Sequence, residues 1–437
     1  MRRTLLKRYI TKHSISVSEI AQQCNISEGY ASKIVNNQVG VIKMETLAAL
    51  ADYLSLPLPE LNRLRCTLCA ESSRTLSSIT MEGAKIVFLE YLENVLDGID
   101  EYDRAKVKFY HEKIVELKDN SVDFYPNYIQ GYDGWRFALE DEFQRSMECF
   151  KAAQSFNAKS EVEMRLKSKI LSGLGEALLA KGYYRDAMKA LRQSLMMWND
   201  GRKQTGWIYL QIGALFKRKG DLPRALAAYR KAQAIGDENI RALALSTQIL
   251  FEVHSDKQVS RESIASVFHK VKDNKEAGLK GGICGNLGEV FLELEDFYTA
   301  EWLFKKAIRF SLLEENLRNK HRAMIGLGNT YLAKNDQASF GKMVHCLESE
   351  ISEEADSVNV CRKLNLLSWY HIKNKQFSSA KRILQESYYM AQQARLPFEM
   401  VSSCRELRKC HRALHEPALA DFYGGEEARI KRLIRIK

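Results

Sequence analysis

The chain is poor in proline and contains no long apolar run. Only 6 of its 437 residues are proline, so few positions oppose a helix. No stretch approaches 18 consecutive apolar residues, so no membrane-spanning helix is expected. Hydrophobic residues nevertheless make up 45% of the chain, which excludes a largely disordered protein. These features predict an all-α protein, and its length favours more than one domain or a repeat array.

Cysteine is scattered and shows no metal-binding pattern. The chain has nine cysteines, and Cys66 and Cys69 form its one C-x-x-C. No second pair of cysteines or histidines follows at zinc spacing, so we predict no metal and no cofactor. The other cysteines fall mostly in apolar helical stripes, which suits reduced thiols in a cytoplasmic protein.

Basic residues are in mild excess, with 66 Lys and Arg against 55 Asp and Glu, a net charge of +11. Residues 1–66 carry nine basic and five acidic residues, a difference of +4. This balance permits binding to nucleic acid without requiring it, because many helical proteins are mildly basic.

The first 60 residues have the pattern of several short helices with a tight turn between the second and third. Helices are predicted over 4–11, 16–23, 27–35 and 44–53. Asn25 is expected in the turn with a positive φ, and Ser27 is expected to cap the third helix. The stretch 17–35, with Ala21 at the helix crossing and Ile20, Ile26 and Ile34 inward, resembles the Xre/Cro repressor-type helix-turn-helix.

That resemblance implies that residues 27–35 form a helix that reads DNA in the major groove. Lys33 is expected to contact guanine acceptors and Glu28 to accept from cytosine. The full set of predicted DNA-contacting residues is Ser27, Glu28, Gly29, Tyr30, Ser32, Lys33, Asn36, Asn37, Gln38 and Lys43. Asn25 and Ala31 depart from the residues that the family prefers. A helix-turn-helix retained as a protein-docking module is the alternative.

The rest of the chain repeats one template, a pair of helices with small residues where they cross. Copies begin near 127, 168, 206, 281, 321, 361 and 401, which differ by 41, 38, 75, 40, 40 and 40. The long interval leaves room for a degenerate copy at 241–275. The template is similar to the tetratricopeptide repeat, which implies a right-handed superhelix whose concave face is lined by the first helix of each pair.

Reading the concave positions of that repeat gives a candidate peptide groove. Asparagine recurs there, and its amide can donate to and accept from a peptide backbone at once, while arginine can bind a carboxylate. The predicted peptide-binding residues are Trp207, Gln211, Gln248, Asn286, Glu289, Arg322, Asn329, Arg362, Asn365, Trp369 and Arg405. Ordinary solvated asparagines are the alternative.

A helix-turn-helix followed by tetratricopeptide repeats resembles the RRNPP class of peptide-pheromone receptors, and the helical segments at 88–99 and 101–117 resemble the arbitrium receptors of temperate phages. The resemblance implies a homodimer that binds a double-stranded DNA operator and is gated by a short signalling peptide, as in quorum sensing or a lysis–lysogeny decision. It also implies three segments: a DNA-binding domain at 1–66, a helical linker at 67–122 and a repeat domain at 123–437 ending in a capping or dimerisation helix.

Two other classes of protein remain open. One is an adaptor whose repeats bind a partner protein and whose helix-turn-helix only docks. The other is an enzyme, which the sequence disfavours because no nucleophile–base pair or metal set is present. We therefore predict a non-enzymatic regulator.

Overall fold

The computed structural model describes residues 10, 15–35, 46, 49–50, 53–54, 81–101, 104–116, 124–198, 203–254, 261–273 and 279–434. Within these residues the chain is helical and contains no strand, which confirms the all-α prediction. The chain divides into two compact units, Met1–Val87 and Phe88–Lys437. The segment boundaries predicted after 66 and 122 lie outside the described residues and stay predictions.

The first unit contains the predicted turn between two short helices, α1 (Val17–Gln23) and α2 (Glu28–Val35). Ser16 begins α1 with a capping box, in which its hydroxyl accepts from the Glu19 amide and the Glu19 carboxylate accepts from the Ser16 amide. Asn25 takes a φ of 50°, as predicted. The Ser27 hydroxyl accepts from the amide of Tyr30 at 3.2 Å, which caps α2.

The small core of this unit explains why its helices have these apolar faces. Ile20, Ala31 and Ile34 are fully or almost fully buried between α1 and α2. Ile10 and Leu50, from the segments predicted as the first and fourth helices, are buried in the same cluster. The remaining residues of those two segments are largely outside the described part of the chain.

The division between the units falls within α3 (Met81–Glu101), and α4 (Arg104–Glu116) follows it; these two helices cover the helical segments noted at 88–99 and 101–117 almost completely. Phe88 on α3 packs edge-on against Phe124 and Tyr128. His111 on α4 hydrogen bonds to the Tyr128 hydroxyl at 2.9 Å and stacks on Tyr132, with ring centroids 3.4 Å apart. Burial lowers the pKa of His111 to about 4, so this contact is made by a neutral ring near pH 7.

Within the described part of the chain, sixteen further helices follow in eight consecutive pairs. The pairs are α5 (Tyr125–Leu139) and α6 (Phe143–Ala153), α7 (Glu161–Ala180) and α8 (Tyr184–Met197), α9 (Lys203–Arg218) and α10 (Leu222–Ile235), α11 (Glu238–His254) and α12 (Arg261–Asp273), α13 (Lys280–Glu293) and α14 (Phe297–Leu313), α15 (Leu317–Ala333) and α16 (Gln337–Glu350), α17 (Ser357–Lys373) and α18 (Phe377–Gln393), and α19 (Pro397–Ala413) and α20 (Pro417–Ile434). The fourth pair is the degenerate copy predicted at 241–275. The described part of the chain is thus a helix-turn-helix followed by an array of helix pairs.

In the turn between the two helices of a pair, one residue has a positive φ. The spacing of these residues along the chain gives the length of the repeat. They are Asp141, Gly182, Gly220, Glu295, Asn335, Lys375 and His415. Their spacings are 41, 38, 75, 40, 40 and 40, the same as those of the predicted copies. A single left-handed residue ends the first helix and reverses the chain, so the period of the sequence is the period of this turn.

Glycine allows close packing where consecutive pairs meet. The ring of Phe304 on α14 lies between Gly288 on α13 and Gly326 on α15. A Cβ added at Gly288 would lie 2.8 Å from that ring, and one added at Gly326 would lie closer still. This contact confirms that the small residues of the template are there to let helices approach.

Candidate functional site

The helix predicted to read DNA presents an exposed face. Ser27, Glu28, Gly29 and Lys33 are exposed, whereas Tyr30 and Ser32 are half-buried. Asn36, Asn37, Gln38 and Lys43 lie outside the described residues.

Glu28 and Lys33 differ in how far the protein already engages them. The Ser18 hydroxyl donates a hydrogen bond to the Glu28 carboxylate, which ties α1 to the beginning of α2. Lys33 projects from the last turn of α2 as a basic side chain open to solvent. Of the two side chains, Lys33 is therefore the more accessible to a DNA base.

Five charged side chains lie near one another on the first helices of five pairs. We call Lys217, Glu289, Arg322, Arg362 and Glu399 the cationic cluster. Glu289 accepts from Nε of Arg322 at 2.9 Å and lies 3.5 Å from Nη1 of Arg362. Nε of Arg362 also donates to Glu399 at 3.2 Å. Three of the predicted groove residues, Glu289, Arg322 and Arg362, are therefore brought together.

The cluster has more positive than negative charge. Burial by itself would raise the pKa of Glu289, but Arg322, Arg362 and Lys217 together lower it to about 2. Burial lowers the pKa of Lys217 to about 8, with Glu289 acting in the opposite direction. Near pH 7 three cations thus face two carboxylates, which leaves about one positive charge for an anionic group of a ligand.

The three asparagines predicted to bind a peptide backbone have different environments. Asn286 is 2% exposed, and its amide donates to the hydroxyls of Ser246 at 2.9 Å and Thr247 at 3.0 Å. Asn365 accepts from Ser387 at 3.0 Å and from Ser403 at 3.1 Å.

Asn329 is half-buried and makes no side-chain hydrogen bond with any described residue. The structure therefore places Asn286 between repeats and leaves Asn329 as the asparagine available to a ligand.

The remaining predicted groove residues are mostly engaged by neighbouring side chains. Gln211 accepts from Ser172 and donates to Glu176, both at 3.0 Å. Gln248 donates to Gln233 at 3.0 Å. Trp207 and Trp369 are half-buried, with Lys409 4.7 Å from the Trp369 ring centroid, and Arg405 lies 3.4 Å from Glu427.

A second group of buried charges joins distant parts of the array. Asp356, which is 1% exposed, accepts from both Arg218 and Arg318. Arg318 also contacts Glu176 at 2.5 Å. Burial alone would raise the pKa of Asp356, but the two guanidinium groups lower it to about 2.

Asp141 extends this group. One of its oxygens accepts from the amide of Asp356 at 3.1 Å, and the other lies 2.7 Å from Nδ1 of His321. A separate hydrogen bond joins the same two parts of the array: the Tyr184 hydroxyl donates to the carbonyl of Ala394 at 2.8 Å. We call the contacts of residues 141–218 with residues 318–394 the seam.

Comparison with known proteins identifies the first segment. Residues 5–66 match the family of Cro/C1-type helix-turn-helix DNA-binding domains. The matched residues include α1 and α2. The match to a DNA-binding domain agrees with a regulator rather than an enzyme.

No curated protein sequence matches the chain. Among solved structures the chain is similar to a Rap protein complexed with competence and sporulation factor, at 12% identity and a TM-score of 0.42, over 96% of this chain and 99% of that chain. It is also similar to the apo form of the quorum sensor NprR from B. thuringiensis, at 13% identity and a TM-score of 0.45, over 79% of this chain and 98% of that one. A tetratricopeptide repeat protein from Parabacteroides merdae is similar at 13% identity and a TM-score of 0.38, over 63% and 98%.

In the described part of the chain, no helix is both long and apolar enough to cross a membrane. The same residues contain no group of three or more His, Cys, Asp or Glu side chains placed to hold a metal ion.

Sequence reasoning did not find Lys217, Glu399 or the seam. Lys217 occupies the twelfth position of the copy that begins at 206, which is a concave position of the template, but it was not among the residues predicted for the groove. Glu399 precedes the beginning of its copy at 401. The seam joins residues 138 to 215 positions apart, and no local period relates such residues. The one available signal was an acidic residue, Asp356, at the beginning of a helix, which is normally read as a cap.

Proposed function

We propose that the chain is a transcriptional regulator that binds operator DNA as a homodimer and responds to a short signalling peptide held on the inner face of the array. The DNA part is supported by the Cro/C1-type match over 5–66 and by the exposed face of α2. As a finer hypothesis we place it among peptide-pheromone receptors, with a phage lysis–lysogeny decision as its setting in the cytoplasm.

The cationic cluster is the observation that carries the peptide part. Arg322 and Arg362 come from successive pairs and share Glu289, so a ligand carboxylate can exchange with Glu289 as their partner. Asn329, two helical turns along α15 from Arg322, supplies a free amide for a peptide backbone. A short peptide with an acidic group fits this arrangement of charge and amide.

In this proposal, peptide binding affects DNA binding through the geometry of the homodimer. A dimer must hold its two reading helices at the spacing of two half-sites, so a change in the array alters DNA affinity without touching the DNA. The direction of the change, release or recruitment, is left to the experiment.

The test is a titration of the purified chain against its own upstream DNA, with and without a small-peptide extract of host culture medium. Specific binding that changes with extract is expected. Arg322→Met should remove the response while DNA binding persists, and Arg309→Met, at an exposed arginine of α14, is the matched control.

Two results would argue against the proposal. If the affinity for the upstream DNA is specific but the same with and without extract, the chain would be a DNA-binding regulator with another ligand. No retardation of DNA even at low salt would favour the adaptor, whose repeats bind a partner protein and whose helix-turn-helix only docks.

A further inference from the structure

Stacked repeats ordinarily contact only their neighbours, yet this array also contacts itself at long range. Arg218 at the end of α9 reaches Asp356 at the beginning of α17. Tyr184 of α8 reaches the carbonyl of Ala394 before α19, and Nζ of Lys181 donates to the carbonyl of Glu354 at 3.1 Å. With Asp141 of the first pair, these contacts bring the first three pairs against the sixth pair, the seventh pair and the turn that follows it.

The contacts across the seam differ in kind from those between neighbouring pairs. Neighbouring pairs share apolar clusters, for example the buried residues from Ala242 to Leu327 and those from Met324 to Leu367. The seam is made largely of buried ion pairs and hydrogen bonds centred on Asp356. A buried ion pair contributes little net free energy because desolvation offsets most of its attraction, whereas burial of apolar surface stabilises strongly.

Separating the seam should therefore cost far less than separating two neighbouring pairs. The separated side chains would regain water, and the apolar clusters would stay intact.

We propose that the seam is a clasp, which opens and closes the array while its helix pairs remain folded. Asp356 holds the closed state because it accepts from Arg218 on one side and Arg318 on the other. Arg218 directly follows Lys217, so opening the clasp also moves one member of the cationic cluster. The clasp is a property of the array and does not depend on the proposed ligand.

Two glycines offer a matched test. Gly182 and Gly220 both occupy the left-handed region, with φ of 82° and 79°, so alanine is equally strained at either. A Cβ at Gly182 would lie 2.7 Å from the carbonyl oxygen of Ala394 across the seam. A Cβ at Gly220 would meet its nearest neighbours at 3.5 Å, an ordinary contact. Only Gly182→Ala therefore pushes the seam apart.

The measurements are the radius of gyration by small-angle X-ray scattering and amide hydrogen exchange on the full chain. Gly182→Ala should increase the radius of gyration and speed exchange about tenfold or more in the segments on both sides of the seam. Exchange within the apolar clusters should be unchanged. Gly220→Ala should lower thermal stability to a similar extent and leave the radius of gyration as it is.

Asp356→Asn is the second variant and does not depend on backbone strain. Its side-chain oxygen can still accept from the amide of Val358, as Asp356 does at 2.9 Å, so the beginning of α17 keeps its cap. It should open the seam as Gly182→Ala does. The clasp is refuted if both variants keep the wild-type radius of gyration, or if exchange accelerates throughout the array together.

Discussion

Replacing Glu289 with Gln tests how much the cationic cluster depends on one carboxylate. The substitution keeps the size of the side chain and removes its charge from among Arg322, Arg362 and Lys217. The pKa of Glu289 is lowered from its ordinary 4.5 to about 2. A difference of about 2.5 at about 1.4 kcal/mol for each pKa unit corresponds to roughly 3 kcal/mol of stabilisation near pH 7. Breaking a buried ion pair typically costs a similar amount.

The same pKa gives the direction of the pH dependence. A carboxylate whose pKa is lowered by folding stabilises the folded state above its unfolded pKa, and this contribution is lost as the pH falls. For Glu289 the loss should run from about pH 4.5 down to about pH 2. Glu289→Gln should lack this part of the acid dependence and keep the part due to Asp356, whose pKa is also lowered to about 2.

Urea unfolding followed by circular dichroism, at pH 7 and at intervals down to pH 3, measures both effects. Glu140→Gln is the matched control, because Glu140 also pairs with an arginine, Arg136 at 3.0 Å, but both side chains of that pair are more than a third exposed. Exposed pairs contribute at most about 1 kcal/mol, so the control should stay close to wild type. Equal stability of the two variants at pH 7, with equal slopes in acid, would refute the reasoning.

Four further substitutions test single residues. Lys33→Ala should weaken specific DNA binding by roughly 1–3 kcal/mol in a fluorescence-anisotropy titration and leave peptide affinity unchanged; an unaltered DNA affinity would remove Lys33 from the reading surface. Asn286→Ala should lower the free energy of unfolding by about 1–3 kcal/mol because its buried hydrogen bonds are lost. Asn329→Ala should leave stability within about 0.5 kcal/mol and weaken peptide binding, and the opposite pattern in these two variants would contradict the environments described. Lys375→Gly should raise stability by about 1 kcal/mol, since a lysine with φ of 57° is strained where glycine is not, and a lowered urea midpoint would count against this.

The local architecture could be predicted because its determinants recur within a few residues. Ser16 and Glu19 cap α1, Asn25 makes the turn, and Ile20 and Ile34 meet in the core, all as the pattern of residues indicates. The interval between repeats matches the interval between left-handed turn residues. Even the degenerate fourth pair was indicated by the length of the gap that it fills.

The candidate groove could be predicted only in part. The repeat template put Glu289, Arg322 and Arg362 on one face, and the structure brings them into contact. The template also put Asn286 on that face. A template of positions does not show whether the amide already donates to a hydroxyl on the preceding pair. That depends on the side chains of Ser246 and Thr247, which the template does not consider.

By itself the sequence determined the helices, their turns, the number of pairs and the face that each first helix presents, since all of these depend on contacts within about 40 residues. Only the tertiary structure decided which distant residues meet. The contacts of Asp356 with Arg218 and of Asp141 with His321 depend on the pitch of the whole array. That pitch is the sum of small rotations between successive pairs, each determined by how side chains such as Phe304 pack, so it cannot be obtained from any single repeat.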